Sequence, residues 1–364
     1  MKRLHLLYAG GTIGMVPSAQ GLAPGTDLLE RLQALPGAPL QTLARALDVQ
    51  VACQSLVPPI DSAEADPGVW RSLAGEVLAQ ADEADAFVLL HGTDTLAYSG
   101  AALSFRLQGL GKPVVLSGSQ RPLGSADSDA WPNVQLALQA AAGAPQAEVM
   151  IAFGGRVLRA NRATKVAAQA LAAFVSPNWP ALALGDEAGT LRWHPAALHM
   201  PGSMQAHAPQ LVASAAGSAK RAWPALAVLH LHPGAPIEHW RAVVAAAPLD
   251  GLVLRSYGSG NAPVASTPIV RLLEEARARG CLVVNLSACL HGQVDVGAYV
   301  CSGPLADAGA LSGQDMTLEC TLAKLDWVCS RFEGESARRA AFQHVWQGEA
   351  GTAAEPAVPP AQPA

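Results

Sequence analysis

Five consecutive apolar residues, Ala86-Phe-Val-Leu-Leu90, run directly into His91-Gly92-Thr93-Asp94-Thr95. Such a run is long enough for a strand and too short for a helix. With no polar alternation, it suits a strand covered on both faces, the signature of a parallel sheet. The pattern recurs. Residues 4–9 form an apolar run that stops at Gly10-Gly11-Thr12, residues 113–116 end in Ser117-Gly118-Ser119-Gln120, and residues 149–153 form another strand. An extended run over 49–57 leads into Pro58-Pro59-Ile60-Asp61-Ser62. Helical segments lie between these runs. Asp66-Pro67 supplies an N-cap and a first-turn proline for a helix with Trp70, Leu73, Val77 and Leu78 on its buried stripe. Asp27-Leu-Leu-Glu30 reads as an N-cap with Glu at the third position of a short helix. A helix begins near Leu96, and a Leu/Ala-rich one covers 134–142. Strand and helix alternating over short connections predict a mostly parallel α/β sheet with right-handed crossovers.

A second alternation follows. Residues 226–231, 252–254 and 282–286 read as strands, with helices over 237–247, 267–279 and 316–328. At 364 residues, with half of them apolar and 15% charged, the chain has material for two domains. The predicted division is an N-terminal α/β domain over 1–200, a linker over 201–222 lacking periodicity, and a smaller α/β domain over 223–334. A C-terminal segment over 335–364 completes it, disordered after about residue 348, where Ala, Pro, Glu and Gln dominate.

Composition excludes several classes. A net charge of −5 gives no basic face for nucleic acid and no polybasic membrane signal. No 18-residue apolar run is present, and the few apolar residues after Met1-Lys2-Arg3 are too short for a secretory signal, so the expectation is a cytoplasmic protein. The six scattered cysteines form no C-x-x-C pair and are expected to be free thiols. The ten histidines make no zinc-binding pattern with them.

The chemistry lies at the strand ends. In a parallel sheet Thr12, Thr93 with Asp94, and Ser117 with Ser119 all fall at one edge, where open α/β sheets bind ligands. One Gly-Gly-Thr turn is ordinarily just a βα turn, whereas three hydroxyl-bearing ends at one edge point to a site. No Gly-x-Ser-x-Gly elbow is present, so a hydroxyl nucleophile needs a base other than the usual histidine. Lys165, in Asn161-Arg-Ala-Thr-Lys165, is a candidate placed in a polar loop; the alternative is a solvated surface lysine. Residues 15–26 form a Pro/Gly/Ser segment that reads either as a lid or as an ordinary connection. A nicotinamide site is disfavoured because Gly10-Gly11-x-x-Gly14 lacks the G-x-G-x-x-G spacing.

Ala9-Gly-Gly-Thr-Ile-Gly-Met15 and His91-Gly-Thr-Asp-Thr-Leu-Ala-Tyr98 resemble the two signature segments of the bacterial-type L-asparaginases. The resemblance extends to Ile60-Asp-Ser62, Ser117-Gly-Ser-Gln120, Asn161-Arg-Ala-Thr-Lys165, Ser176-Pro-Asn178, Tyr257-Gly-Ser-Gly-Asn261 and Gly313-Gln-Asp-Met-Thr317. It covers roughly residues 4–330, and the Gly-Thr-Ile-Gly-Met form is similar to the cytoplasmic type I branch. The resemblance implies an L-asparagine amidohydrolase that works through a threonine acyl-enzyme without metal or organic cofactor. Thr12 would be the nucleophile, and Thr93, Asp94 and Lys165 a proton-relay group. Gly11, Asp61, Ser62, Ala63, Gly92 and Ser119 would bind substrate, with backbone N–H groups near Gly92-Thr93 or 117–120 as oxyanion donors. It further implies a homodimer or homotetramer and an allosteric asparagine site at Thr164, Arg255, Asn261 and Cys289. The alternative for those positions is that Arg255 pairs locally, Asn261 serves a turn and Cys289 is buried. Two departures from the family pattern stand out. The segment after Thr12 carries no tyrosine, with Leu22 about where one would fall and Tyr8 a poor substitute. The carboxylate loop has Ser62-Ala63 in place of Ser-Ser. Competing readings are a broader glutaminase-asparaginase and an amino-acid-binding sensor with impaired chemistry.

Overall fold

The structure is a computed structural model that describes residues 1–19, 21–186, 190–199, 223–295 and 302–351. The chain divides into two compact units, the first spanning Met1–His199 and the second holding the described residues from 223 onward. The linker expected over 201–222 lies outside the described residues, as does the tail from residue 352.

The first unit contains strands β1 (Lys2–Gly10), β2 (Met15–Ser18), β3 (Gly21–Pro24), β4 (Val49–Ile60), β5 (Ala86–Leu90), β6 (Val114–Ser117), β7 (Val149–Phe153), β8 (Arg156–Arg159), β9 (Thr164–Lys165), β10 (Phe174–Val175), β11 (Ala183–Gly185) and β12 (Leu191–Trp193). Its helices are α1 (Leu28–Gln33), α2 (Pro39–Ala46), α3 (Pro67–Ala79), α4 (Leu96–Arg106), α5 (Ala130–Gly143) and α6 (Pro195–Leu198). One sheet takes the order β12-β11-β8-β7-β6-β5-β1-β4. Its pairs are parallel from β4 through β7 and antiparallel from β7 to β12. The expected mostly parallel α/β architecture is therefore correct, with a meander added at one edge.

Side-chain alternation divides the apolar residues between two layers. Leu4, Leu6 and Tyr8 of β1 join α1 and α5 in one core, whereas Leu7 and Ala9 join α3 and α4 in the other. Every residue of β5 is buried, which is why its sequence carries no polar alternation. Asp66 caps α3 as expected, accepting from the Gly68 and Val69 amides. Asp27 precedes α1 but makes no side-chain cap; its carboxylate accepts from Arg31 Nε at 3.1 Å instead. β2 and β3 pair antiparallel as a separate two-stranded sheet, and Leu22 within it is exposed. Lys165 does not sit in a loop: it ends β9, opposite Phe174 of β10.

The second unit has strands β13 (Leu226–His230), β14 (Gly251–Ser256), β15 (Leu282–Ser287) and β16 (Leu311–Ser312) in that order, all parallel. Helices α7 (Ile237–Ala246) and α8 (Ile269–Ala278) cover one face. After α9 (Gly303–Asp307), helix α10 (Leu318–Arg331) packs against β13 and β14, followed by α11 (Glu335–Gln343). The segment beyond α11 is anchored. Glu349, fully buried, pairs with the equally buried Lys324 of α10 at 2.7 Å and accepts from the Trp346 and Gln347 amides. Disorder beginning at about residue 348 therefore does not hold for Glu349 to Gly351, whose last amide donates to Asp315.

Candidate active site

The site grows from close backbone approach at the carboxyl ends of β1, β4 and β5. Gly11 has φ +91°, in the left-handed region that favours glycine, and a Cβ there would lie 2.2 Å from Gly92 Cα. Gly92 meets the turn after β4 just as tightly: a Cβ on it would lie 2.3 Å from Ser62 Oγ. Two residues without side chains thus bring three strand ends together. The residue after Gly11 is Thr12 and the residue after Gly92 is Thr93.

Thr93 is the hub. Its Oγ1 accepts from Lys165 Nζ at 2.9 Å and donates to Gln120 Oε1 at 3.3 Å. Lys165 Nζ also donates to Asp94 Oδ1 at 2.8 Å, so one ammonium group joins a hydroxyl to a carboxylate. The Thr93 side chain is buried, Lys165 is largely so, and Asp94 is 66% exposed. The run of contacts therefore leads from the interior to a carboxylate with exposed oxygens. Thr12, half-buried, opens a single 3-10 turn over Thr12–Gly14. Its hydroxyl makes no hydrogen bond to a described residue. The adjoining Ile13 carbonyl accepts from the Leu123 amide at 3.0 Å, tying this turn to the loop after β6.

Asp61 caps the 3-10 turn Ser62–Glu64 by accepting from the Ala63 amide at 3.0 Å, and Asp61 and Ala63 are exposed. Ser62 is buried, with its carbonyl accepting from Thr95 Oγ1 at 2.9 Å. Ser117 is fully buried and donates to the Ala152 carbonyl at 2.7 Å, so it joins strands and does not face the site. Ser119 donates to the Arg121 carbonyl at 2.5 Å, and its neighbour Gln120 is the member of this loop that reaches Thr93. The contact of the Gln120 side chain with Thr93 is one that the sequence did not single out, because glutamine in a Ser-Gly-Ser-Gln loop carries no spacing signal.

Tyr8 does not fill the place of a loop tyrosine. It is fully buried, donates to the Gly25 carbonyl at 3.2 Å, and packs against Gly14. Burial pushes its phenol up to about 12, against the opposing pull of Arg31 and with some help from Asp27. It is a permanent donor at the base of the β2–β3 pair. His91 is buried with Nδ1 2.8 Å from the Gly92 carbonyl; since a carbonyl only accepts, Nδ1 holds the proton and Nε2 accepts from Ser99 Oγ at 3.1 Å. Burial pulls its pKa down, outweighing the Gly92 hydrogen bond, so it is a neutral structural residue.

The positions implied as allosteric divide between the units. Thr164 is buried in β9 beside Lys165. In the second unit, Arg255 donates to the Ala288 carbonyl at 2.8 Å, the Cys289 amide to Ser287 Oγ at 3.0 Å, and Ser287 Oγ to the Gly258 carbonyl at 2.6 Å. Asn261 closes the 257–261 turn against Tyr257. The expected alternative of a buried Cys289 is incorrect, since the residue is exposed. Among the described residues no group of three His, Cys, Asp or Glu could hold a metal ion, and no helix is long and apolar enough to cross a membrane.

In class, this is an α/β protein whose hydroxyl, ammonium and carboxylate groups gather at the carboxyl edge of a parallel sheet, an arrangement suited to acyl transfer without a histidine base. The family descriptions "Asparaginase, N-terminal" and "Glutaminase/Asparaginase C-terminal domain" match residues 3–197 and 226–342. Over 348 residues the chain is 38% identical to L-asparaginase 1 of Escherichia coli K12, covering 94% of this chain and 97% of that one. The crystal structure of L-asparaginase I from Vibrio cholerae superposes with a TM-score of 0.81 at 33% identity, covering 96% of this chain and 99% of the other. The thermostable L-asparaginase of Thermococcus kodakarensis gives 0.78 at 28% identity, with 96% and 99% covered. The chain belongs to the asparaginase family.

Proposed function

We propose that this chain hydrolyses the side-chain amide of L-asparagine to aspartate and ammonia through a threonine acyl-enzyme. The observation that carries the reading is the Lys165 ammonium group bridging Thr93 and Asp94 beside the Thr12 turn. In the first step Thr12 Oγ1 bonds to the side-chain carbonyl carbon as the C–N bond breaks. The nitrogen leaves as ammonia, taking the hydroxyl proton. Water then adds to the β-aspartyl ester, the ester C–O bond breaks, and the Thr12 hydroxyl is restored. Thr93, Lys165 and Asp94 move protons in both steps, with Thr93 orienting the water. Fixed backbone N–H groups at 92–93 or 117–120 hold the developing oxyanion.

A free amino acid brings both charges into the site. The exposed oxygens of Asp94 suit its ammonium group. Ser62, with Asp61, Ala63 and backbone amides around it, suits its carboxylate, aided by Gly11, Gly92 and Ser119 at the floor. Five described cysteines are free, which fits a reducing cytoplasmic setting. The family resemblance supports a homodimer or homotetramer, and regulation through Arg255, Asn261 and Cys289 with Thr164. A sigmoidal rate curve that Arg255→Ala makes hyperbolic would support that regulation.

The deciding experiment is ammonia release from asparagine by wild type and Thr12→Ala. Release by wild type and loss of at least a thousandfold in the variant is expected, in line with removal of a covalent nucleophile. No release from wild type while asparagine still binds would replace the enzyme by an amino-acid sensor. Glutamine in the same assay separates a strict asparaginase from a broader amidohydrolase.

A further inference from the structure

We infer that Gln120 is a positioning residue that fixes the direction of the Thr93 proton and ties it to the turn that follows Lys165. The inference rests on the reading of Thr93 as part of the site. Gln120 Nε2 lies 3.1 Å from the Ala168 carbonyl and 3.1 Å from the Ala170 carbonyl. Carbonyls only accept, so the amide nitrogen must face them, and both of its protons are used there. The amide oxygen is thereby turned toward Thr93 Oγ1.

That orientation has a chemical consequence. An amide oxygen cannot donate, so Thr93 gives its single proton to Gln120. A lone pair of the hydroxyl is left for Lys165 Nζ. In the resting site Lys165 is thus the donor to Thr93, and the threonine proton passes to Lys165 only once the ammonium group has given up one of its own protons, with Asp94 the carboxylate in reach, and the hydroxyl has swung away from Gln120. Without Gln120 the hydroxyl rotates among several acceptors, and its productive orientation becomes one of several.

The same side chain steadies the turn that follows Lys165. The turn over 166–172 reads Val-Ala-Ala-Gln-Ala-Leu-Ala, so apart from Gln169 its side chains are hydrocarbon. Val166 and Leu171 stand exposed at 46% and 39%. Gln120 pins two carbonyls of this turn, which joins β9, carrying Lys165, to β10. Gln120 is itself held from below, its amide donating to the buried Asp129 at 2.9 Å and the next amide to the other oxygen at 3.0 Å. One residue therefore touches the hydroxyl and the turn next to the ammonium group that serves it.

Two variants separate the two contacts. Gln120→Met removes acceptor and donors. Gln120→Glu keeps an acceptor for Thr93 but cannot donate to the Ala168 and Ala170 carbonyls. In steady-state asparagine hydrolysis, Gln120→Met should lower kcat about tenfold, the scale of one hydrogen bond, with KM within about twofold. Gln120→Glu should recover kcat to within about threefold of wild type, while amide hydrogen exchange in 166–172 becomes faster in both variants. A Gln120→Met enzyme with wild-type kcat, or a Gln120→Glu enzyme as slow as Gln120→Met at equal thermal stability, overturns the inference. Thr93→Val tests the reading beneath it. If that variant is fully active, the site assignment fails; if it is inactive while Gln120→Met matches wild type, only the role of Gln120 fails.

Discussion

Replacing Gly92 by alanine adds one methyl group at the centre of the site. Its Cβ would lie 2.3 Å from Ser62 Oγ and 2.5 Å from Ser62 Cβ, whereas ordinary contact begins at 3.4 Å. Rotating the serine hydroxyl does not relieve the overlap, because its Cβ is also too close. The turn must therefore retreat by about 1 Å, and displacement on that scale costs about a hundredfold in rate when a positioning group is involved. The turn resists, since Asp61 accepts from the Ala63 amide and the Ser62 carbonyl accepts from Thr95. Part of the cost therefore appears as lost stability, about 1–3 kcal/mol for an overpacked buried position. Asparagine hydrolysis with KM and kcat resolved is the assay, with thermal unfolding alongside. The expected result is a fall of about a hundredfold in kcat/KM, carried mainly by KM because Ser62 is assigned to the substrate carboxylate. Gly75→Ala is the control: its Cβ meets nothing within 4 Å on α3, so activity should be unchanged and stability slightly improved. A Gly92→Ala enzyme with kcat/KM within about twofold of wild type would refute the placement of Ser62 in the substrate site.

Other consequences follow from particular groups. Asp94→Asn keeps the size of the side chain but removes the charge facing Lys165 and, on the proposed reading, the one that meets the substrate ammonium; kcat/KM should fall by at least about a hundredfold, and an unchanged value would remove Asp94 from the proposed relay. Lys324→Met leaves the Glu349 carboxylate buried without its cation and should destabilise the second unit by about 3–5 kcal/mol in denaturant unfolding, while Lys324→Met with Glu349→Gln recovers part of the loss. Burial alone would raise the Glu349 carboxyl, but Lys324 and the Trp346 and Gln347 amides hold it below the ordinary range. Stability from this group is present above the unfolded carboxylate pKa and is lost as pH falls through the native one. For His91 and His5, whose pKa values burial lowers, the unfolded chain takes up protons first on acidification. Their stabilisation is full above about pH 6.5 and declines below it, so His91→Gln should flatten the fall in Tm between about pH 7.5 and about pH 5; an undiminished fall would count against a neutral His91.

Much of this protein is written locally. The uninterrupted apolar runs of β1, β5, β6 and β7 declare strands covered on both faces, and Asp66-Pro67 declares the start of α3, because burial pattern and capping depend on neighbouring residues alone. Hydroxyls at strand ends follow from the same reading, since parallel strands share one carboxyl edge. The fasteners were not legible. Asp27 looks like a cap and instead serves Arg31, and the short pair β2–β3 and the meander strands β8, β11 and β12 are too short to carry periodicity. Glu349 sits in a stretch whose composition suggests disorder, yet it is buried because Lys324, 25 residues earlier, waits for it. The same division runs through the site. Sequence supplies Thr12, Thr93, Asp94 and Lys165 as residue types at strand ends. Only packing decides that Gly11 meets Gly92, that Lys165 reaches across 72 positions to Thr93, and that Gln120 turns its oxygen toward that hydroxyl. Hydrogen-bond direction and close approach depend on atoms brought together from distant segments, and that is information a linear chain holds only once it is folded.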